Sequence, residues 1–580
     1  MDPYEREIER LRQLYEEVET DNEEVENMSE SDDDSIADEN FVLERDHATD
    51  TEQEATDEES EEGESVSEES RSAYYYGKDG TKWRKEAPPL NVRTRSRNII
   101  THLPGVTGVA RNASTTVQCF MLFFDDILPI IIENTNIFIR ANAHKYANKY
   151  DTKDTDECEI KALLGLLYLA GSQHGGRKNL LEFYGTDGLG AEIFPATMAF
   201  RRVRFLLRCL RFDDINTRKE RKALDKLAPV RSMVEVFNQK CKANYSPGQY
   251  ITLDEMLLAF RGRCSFKMYI PNKPDKYGLK VFSTVDARTF YTTHLEIYAG
   301  TQPDGPFKIE NSTGAVTERM CLHLSGTRRN ITMDRWFTGF QIVKRLLEVH
   351  QLTVVGTIQS NRRELPHQIT NIKNRSRRSS VFAFSTDMTA VSYVPKKSKN
   401  VLLLSSMILD NKIDEATGEE AKPEIITFYN LTKGGVDVVD RKISSYNVAR
   451  NTRRWPMVVF YGLMNVAAVN AFEIYKKNNP EGEFKNCRRL FMKDLGINLT
   501  KENMERRALN PHLARGVRQS ASRLSNTPIP GPSEETPNKR GNCKYCKRRK
   551  TRYFCKLCRS WLCMEHIVAC CSECAENTLG

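Results

Sequence analysis

The apolar spacing of this chain changes twice, and those two changes limit the folds open to it. From about residue 117 the spacing is helical. CFMLFFDDILPIIIENTNIFIRANAHKY predicts two helices interrupted near Pro129, and IKALLGLLYLAGSQ a strongly apolar helix. TMAFRRVRFLLRCLRFDD predicts an amphipathic helix with arginines on its polar side, and APVRSMVEVFNQKCKANY another helix. Near Tyr250 the period shortens to that of strands. ITLDEMLLAF, GLKVFSTVDA, FYTTHLEIYAG and NITMDRWF are strands or strand ends, followed by a helix, TGFQIVKRLLEVH, and a strand, LTVVGTIQS. Between polar turns over 362–425 lie VFAFS, AVSYV and NVLLLSSM, and IITFYN then returns to strand. Helical spacing resumes in GGVDVVDRKISSY, behind a glycine turn, and in PMVVFYGLMNVAAVNAFEIYKK, which starts at Pro456, a position proline tolerates. Strands alternating with helices, bracketed by helical blocks, predict a mixed α/β sheet with a β-rich insertion and a flanking all-α domain.

Three acids lie in or beside the apolar runs: Asp254 in ITLDEMLLAF, Asp334 in NITMDRWF, and Asp437 in TKGGVDVVDRK, with Asp440 sharing its helical face. A lone carboxylate in such a place is costly. Carboxylates brought together also repel, by about 4 kcal/mol per pair at about 4 Å and an effective dielectric near 20. A divalent cation removes that penalty, and hard oxygen ligands favour Mg2+ or Mn2+. Two such ions can activate an attacking oxygen and stabilise a leaving oxygen in a phosphoryl transfer. Each acid also has a plainer role: a turn former, a cap on TGFQIVKRLLEVH for Asp334, or a first-turn helix acid for Asp437. Glu255 reads as the solvent-facing alternate of Asp254.

The formal net charge of +7 hides a split. Residues 1–70 carry 30 Asp and Glu against 4 Arg, net −26; the rest carries 82 Lys and Arg against 49 Asp and Glu, net +33. The acidic stretch predicts disorder, and its serine-before-acid runs suit an acid-directed kinase. The basic body predicts a polyanion partner, most simply nucleic acid. Residues 74–115 are basic and aromatic without a clear period, as expected of an arm or extended segment. No run approaches the roughly 18 apolar residues of a membrane span, and the charged N-terminus has no signal-peptide core, which predicts an intracellular chain with no membrane partner.

Eight of the 15 cysteines fall between Cys543 and Cys574. The series Cys543, Cys546, Cys555, Cys558, Cys563, His566, Cys571, Cys574 pairs ligands at two-residue intervals, a strong signal for two structural zinc ions. An alternating, cross-braced assignment gives one zinc Cys543, Cys546, Cys563 and His566, and the other Cys555, Cys558, Cys571 and Cys574. A sequential assignment is the alternative, and Cys570 competes with Cys571. The seven scattered cysteines predict buried reduced thiols.

ITLDEMLLAFRGRCSFKMYIPNKPDKYGLKVF, ITMDRWFTGFQIVKRLL, LTVVGTIQSNRRELP, VLLLSSM, TKGGVDVVDRKISSY and RRWPMVVFYGLMNVAAVNAF together resemble the piggyBac transposases, in family order, over about 117–510 and again in the cysteine cluster. The resemblance implies an RNase H-like catalytic core with a DDD triad, two metal ions, and cut-and-paste transposition through hairpin intermediates into TTAA sites. The triad falls on Asp254, Asp334 and Asp437, and Asp440 matches the family's additional acid. It implies a helical dimerisation and DNA-binding domain split around the core. The organisation expected is an acidic region and basic arm over 1–116, helical domain over 117–250 and 446–515, catalytic core over 251–361 and 426–445, insertion domain over 362–425, linker over 516–540, and zinc module over 541–580. The expected partners are double-stranded DNA, as terminal inverted repeats and TTAA target, and a second copy of the chain.

Expected DNA contacts are Arg261 and Arg263 with Lys267 and Lys273, Lys433, Arg453 and Arg454 on phosphates, and Trp455 stacked on an unpaired base. For each, a surface loop, a solvated turn or a core tryptophan is the plainer alternative. Arg548 and Arg549 head the basic residues around the first zinc ligands, which suits DNA; a RING-like or PHD-like protein-binding module is the rival. Lys539-Arg540 with Lys547 to Lys550 forms a split basic cluster of the nuclear-import kind. Two other functions are open: a domesticated DNA-binding chromatin protein that no longer cuts, and a general RNase H-type nuclease.

Overall fold

The computed structural model describes residues 53–54, 73–89, 94–146, 152–175, 178–185, 190–271, 273–484, 487–529, 540–555, 558 and 560–567. The kinase-type serines, Lys539, Cys570, Cys571 and Cys574 lie outside the described residues.

Strands β1 (Tyr74–Tyr76) and β2 (Lys82–Arg84) form an antiparallel hairpin with Tyr75 opposite Trp83. The sequence shows no strand period here because one side chain does the anchoring. Trp83 is fully buried and donates its indole N–H to the Glu364 carbonyl at 2.8 Å. Helices α1 (Thr116–Phe124), α2 (Ile127–Asn142), α3 (Glu157–Ser172), α4 (Phe200–Cys209) and α5 (Arg231–Asn244) follow. The break between α1 and α2 falls at Asp125–Asp126, so Pro129 sits in the first turn of α2, where its missing N–H has no partner to lose. In α4, Arg201, Arg204 and Arg208 face solvent as expected, but Arg202 is buried and pairs with Glu159 of α3 at 2.6 Å.

The central sheet uses β3 (Tyr250–Ala259), β4 (Tyr277–Asp286), β5 (Thr292–Ile297), β6 (Asn330–Met333) and β7 (Thr353–Thr357). Their order is β5-β4-β3-β6-β7: the first three antiparallel, then β6 parallel to β3 and β7 parallel to β6. Helix α6 (Phe340–Glu348) provides the crossover a parallel pair requires. Strands β8 (Ser380–Phe384), β9 (Thr389–Tyr393) and β10 (Lys399–Ser405) form a meander whose last strand pairs with β7, while β2 pairs with β8. The β-rich stretch thus extends the same sheet.

IITFYN is not the expected strand but part of helix α7 (Glu424–Thr432). Its β-branched residues suit a strand, but Pro423 opens a helix, and Ile425, Ile426, Phe428 and Tyr429 form one helical face against Val355, Val391 and Leu403. Helices α8 (Gly435–Ser445), α9 (Trp455–Asn478) and α10 (Arg488–Leu509) follow. Contrary to the expectation that no segment is long and apolar enough for a membrane, α9 is; yet 94% of its apolar window is buried in the protein core. Helices α3 and α10 cross with backbones nearly touching: a Cβ on Gly165 would lie 2.7 Å from the Gly496 carbonyl oxygen. Both sheet faces are covered, with Ile251, Leu253 and Phe282 in one apolar cluster and Met256, Val281 and Val285 in the larger helical one. The scattered cysteines are free thiols, six buried and Cys487 half-buried.

His294 and His323 face each other at 5.3 Å between ring centroids. His323 Nε2 meets Thr293 Oγ1 at 3.0 Å, while its Nδ1 is sealed from water with no partner. Burial, then His294 and Lys242, bring the His323 imidazole down to about 3. The unfolded chain takes up this proton below about pH 6.5 and the folded chain does not, so stability is full above that pH and falls toward pH 3. Between pH 7 and pH 5, His323 alone should cost about 2 kcal/mol. Urea midpoints at the two pH values should converge in His323→Gln and stay apart in the wild type.

Candidate active site

Pairing in the sheet carries two of the acids to one place. On the parallel strands β3 and β6, Leu253 is the register partner of Met333, and Asp254 and Asp334 are the next residues along each. Asp254 continues in β3, opposite Ser283 of β4, whereas β6 ends and Asp334 begins a turn. One Asp334 oxygen, Oδ1, accepts the backbone N–H groups of Trp336 and Phe337 at 2.9 and 3.4 Å. Asp334 does not cap α6, whose N-cap is Gly339. Asp437 lies in the first turn of α8, which packs directly on β3. Gly435 permits this approach, since a Cβ there would come within 2.3 Å of Thr252 Oγ1.

The acids perturb one another. Burial pushes the Asp254 carboxyl well above the usual carboxylate range; Glu255, Asp334 and Asp437 push the same way and Lys273 opposes them. Asp334 is pushed up to about 7 by burial and then Glu255, against the two backbone N–H groups and Lys280. Asp440 is raised to about 6 by burial, with Lys273 opposing and Asp437 reinforcing. Lys273 Nζ stands 3.1 Å from Asp437 Oδ1 and 3.9 Å from Asp440 Oδ2.

Glu255 is not the solvent-facing residue expected from alternation: it is 4% exposed. A strand covered on both faces has no outward side, so alternation cannot place its polar residues. Glu255 and the equally buried Lys280 are the charged groups near the acids that sequence reasoning missed. Their only signal is the apolar character of the run around them.

One oxygen of the acid group is left for a cation. Asp334 Oδ2 is sealed from solvent with no hydrogen bond, an orphaned anionic oxygen that a cation would satisfy. The oxygens of the three acids do not form the tight group, within 4.8 Å, that the described residues show at the cysteine cluster. Two ions about 4 Å apart span a wider set than one coordination shell.

The expected DNA-contact residues partly converge. Arg261 and Arg263 are exposed on a loop after β3, where a Cβ on Gly262 would lie 2.9 Å from the Arg453 carbonyl. Trp455 is half-buried and packs edge-on against Phe266 at 5.0 Å, the core role named as its alternative. Arg454 is committed inward, donating to the carbonyls of Leu207 and Arg208 at 3.3 and 2.9 Å and to that of Leu210, so it caps α4. Lys433 lies over the Tyr429 ring at 5.5 Å; burial lowers its ammonium, with Asp437 and Asp254 opposing.

Cys543, Cys546, Cys563 and His566 bring their ligand atoms within 4.8 Å of one another. This is the cross-braced set: the sequential one would join Cys543 and Cys546 to Cys555 and Cys558. Burial raises the Cys543 thiol, but backbone N–H groups of Cys546, Cys563 and Tyr545 bring it down to about 6, toward the thiolate a metal needs. Arg548 is exposed, and Arg549 pairs with Glu565 across the module surface. Cys555 and Cys558 are described, but their expected partners lie outside the described residues.

The mixed sheet thus sets two acids on adjacent parallel strands, with a third on a helix packed across them. The family described as Transposase IS4 matches residues 115–472. The chain belongs to this family, in its piggyBac branch. It is similar to the human PiggyBac transposable element-derived protein 3, 20% identical over 381 residues, covering 62% of this chain and 61% of that protein. It also matches the human chimeric ERCC6-PGBD3 protein at 20% identity over 381 residues, covering 34% of it. The chain thus spans about three fifths and one third of these relatives. A cryo-EM structure of the piggyBac transposase synaptic complex with hairpin DNA superposes with a TM-score of 0.71 at 36% identity, covering 81% of this chain and all of that one.

Proposed function

We propose that the protein is a DDD-type DNA transposase that excises its element through hairpin intermediates and inserts it at TTAA sites. The observation carrying this reading is the register of Asp254 and Asp334 on adjacent parallel strands, with Asp437 on α8 laid over β3. The strand order β5-β4-β3-β6-β7 supports an RNase H-like core. Asp254, Asp334 and Asp437 would hold two Mg2+ or Mn2+ ions, with Asp440 beside them. Bound there, the ions would supply Lewis-acid activation and charge stabilisation at the phosphorus. The chain's residues do the positioning: the Trp336 and Phe337 N–H groups fix one Asp334 oxygen and leave the other free. Arg261, Arg263 and Arg453 lie together beside the end of β3, where they would meet the DNA backbone.

The protein would act as a homodimer in the nucleus, with double-stranded DNA as partner. The cysteine module, holding a second zinc through Cys555, Cys558, Cys571 and Cys574, would contact the terminal repeats through Arg548. The test is plasmid excision with the element's own terminal repeats, wild type against Asp334→Ala. Wild type should cut in Mg2+ and Asp334→Ala should not. A silent wild type that binds the repeats would identify a non-cutting DNA-binding protein; cutting indifferent to end sequence would identify a general nuclease.

A further inference from the structure

Lys273 was expected to track DNA, but its ammonium points into the acids. Its Nζ lies 3.1 Å from Asp437 and 3.9 Å from Asp440, and its side chain is only 16% exposed while that of Asp437 is 54% exposed. The loop that presents it is braced. Lys273 N–H donates to the Ile270 carbonyl at 3.2 Å, Lys276 N–H to the Lys273 carbonyl at 3.1 Å, and Ile270 N–H to the Lys276 carbonyl at 2.8 Å. Pro271 and Pro274 flank the lysine, and Lys276 adopts a left-handed φ of 57°. A four-carbon stem on so fixed a base is aimed by the backbone, not left to wander. Burial alone would lower this ammonium, yet Asp437, Asp254, Asp440 and Glu255 hold it above its ordinary value.

We propose that Lys273 is the resident counter-cation of the acid cluster: it occupies Asp437 and Asp440 while no divalent ion is bound, competes with that ion, and is released when the ion enters. This rests on the reading of Asp254, Asp334 and Asp437 as metal ligands. It gives the metal-free protein a way to hold its acids together at a cation's position with a cation of its own. It also sets an ion threshold for assembling the site, because apparent affinity falls by the fraction of molecules in which the site is free. The released ammonium would stand beside the reacting strand as a phosphate ligand.

The experiment is Mn2+ binding to the full zinc-loaded chain without DNA, followed by electron paramagnetic resonance, together with the melting temperature in chelator. Lys273→Met should bind Mn2+ roughly tenfold more tightly, as when a competitor holds about nine tenths of the population. It should also melt lower than wild type in chelator and recover that loss in Mn2+. Lys273→Arg, which keeps the charge, should resemble wild type. If Lys273→Met does not fold, Lys273→Gln gives the same readouts. Unchanged or weaker Mn2+ binding in the uncharged variant overturns the counter-cation role. Asp254→Asn separates this from failure of the underlying reading: if Mn2+ binding survives Asp254→Asn, the metal site itself is misassigned; if Asp254→Asn abolishes binding while Lys273→Met has no effect, only the role of Lys273 falls.

Discussion

Asp254→Asn should abolish DNA cutting and, in the same protein, raise the melting temperature measured in chelator. The loss should be at least ~10³-fold, because the ions supply several kcal/mol of charge stabilisation that the remaining acids cannot hold in place. The gain follows from the electrostatics. Burial, and after it Glu255, Asp334 and Asp437, push the Asp254 carboxyl well above the usual range. An amide of the same shape keeps the packing and sheds the repulsion, so a rise of a few degrees is expected. Melting curves with and without Mg2+ supply the check. The wild type should gain stability from the ion, and Asp254→Asn should start higher and gain nothing. A melting temperature that falls on substitution would mean that Asp254 is a structural residue and not a ligand.

The second large effect concerns the cysteine module. Cys543→Ser should unfold it while leaving the sheet domain standing. A structural zinc of this kind contributes about 10–16 kcal/mol of binding energy that is also folding energy, and Cys543 is a buried member of the set with Cys546, Cys563 and His566. Zinc content by mass spectrometry should fall, protease sites between residues 541 and 567 should open, and binding to terminal repeats should weaken. Binding that weakens in Arg548→Ala with zinc retained would assign the contact to the module's basic face. Unchanged affinity in both variants would favour a protein partner.

The placement of Asp254 and Asp334 side by side was legible in the sequence because ITLDEMLLAF and NITM read as strands with an acid in or just after the apolar run, although a turn former or helix cap explained each acid alone. The strands of the central sheet were legible because each is bounded by turn residues. Glu255 and Lys280 were not, since reading inside from outside needs a strand with a wet face, and β3 and β4 have none. That Lys273 reaches Asp437 was not legible, because sequence shows that a loop is basic, not where it aims. IITFYN was misread because local composition favoured a strand, while Pro423 and the packing against Val355 favoured a helix. Trp455 and Arg454 show the same limit: a charged neighbourhood suggested DNA, yet one packs on Phe266 and the other caps α4.

The crossing of α3 with α10 has a bearing on how the protein comes into being. Helix α3 is buried along nearly its whole length, and the surface it needs, around Gly496, is made more than three hundred residues later. On the ribosome the side of α3 that meets α10 waits while β3 to β10 are synthesised, and contacts so distant in sequence form slowly. An interrupted or frameshifted copy that ends before α10 keeps Asp254, Asp334 and Asp437 but leaves the side of α3 around Gly165 uncovered. Such a remnant is exposed to aggregation and proteolysis, so the folded core depends on a chain read nearly to its end.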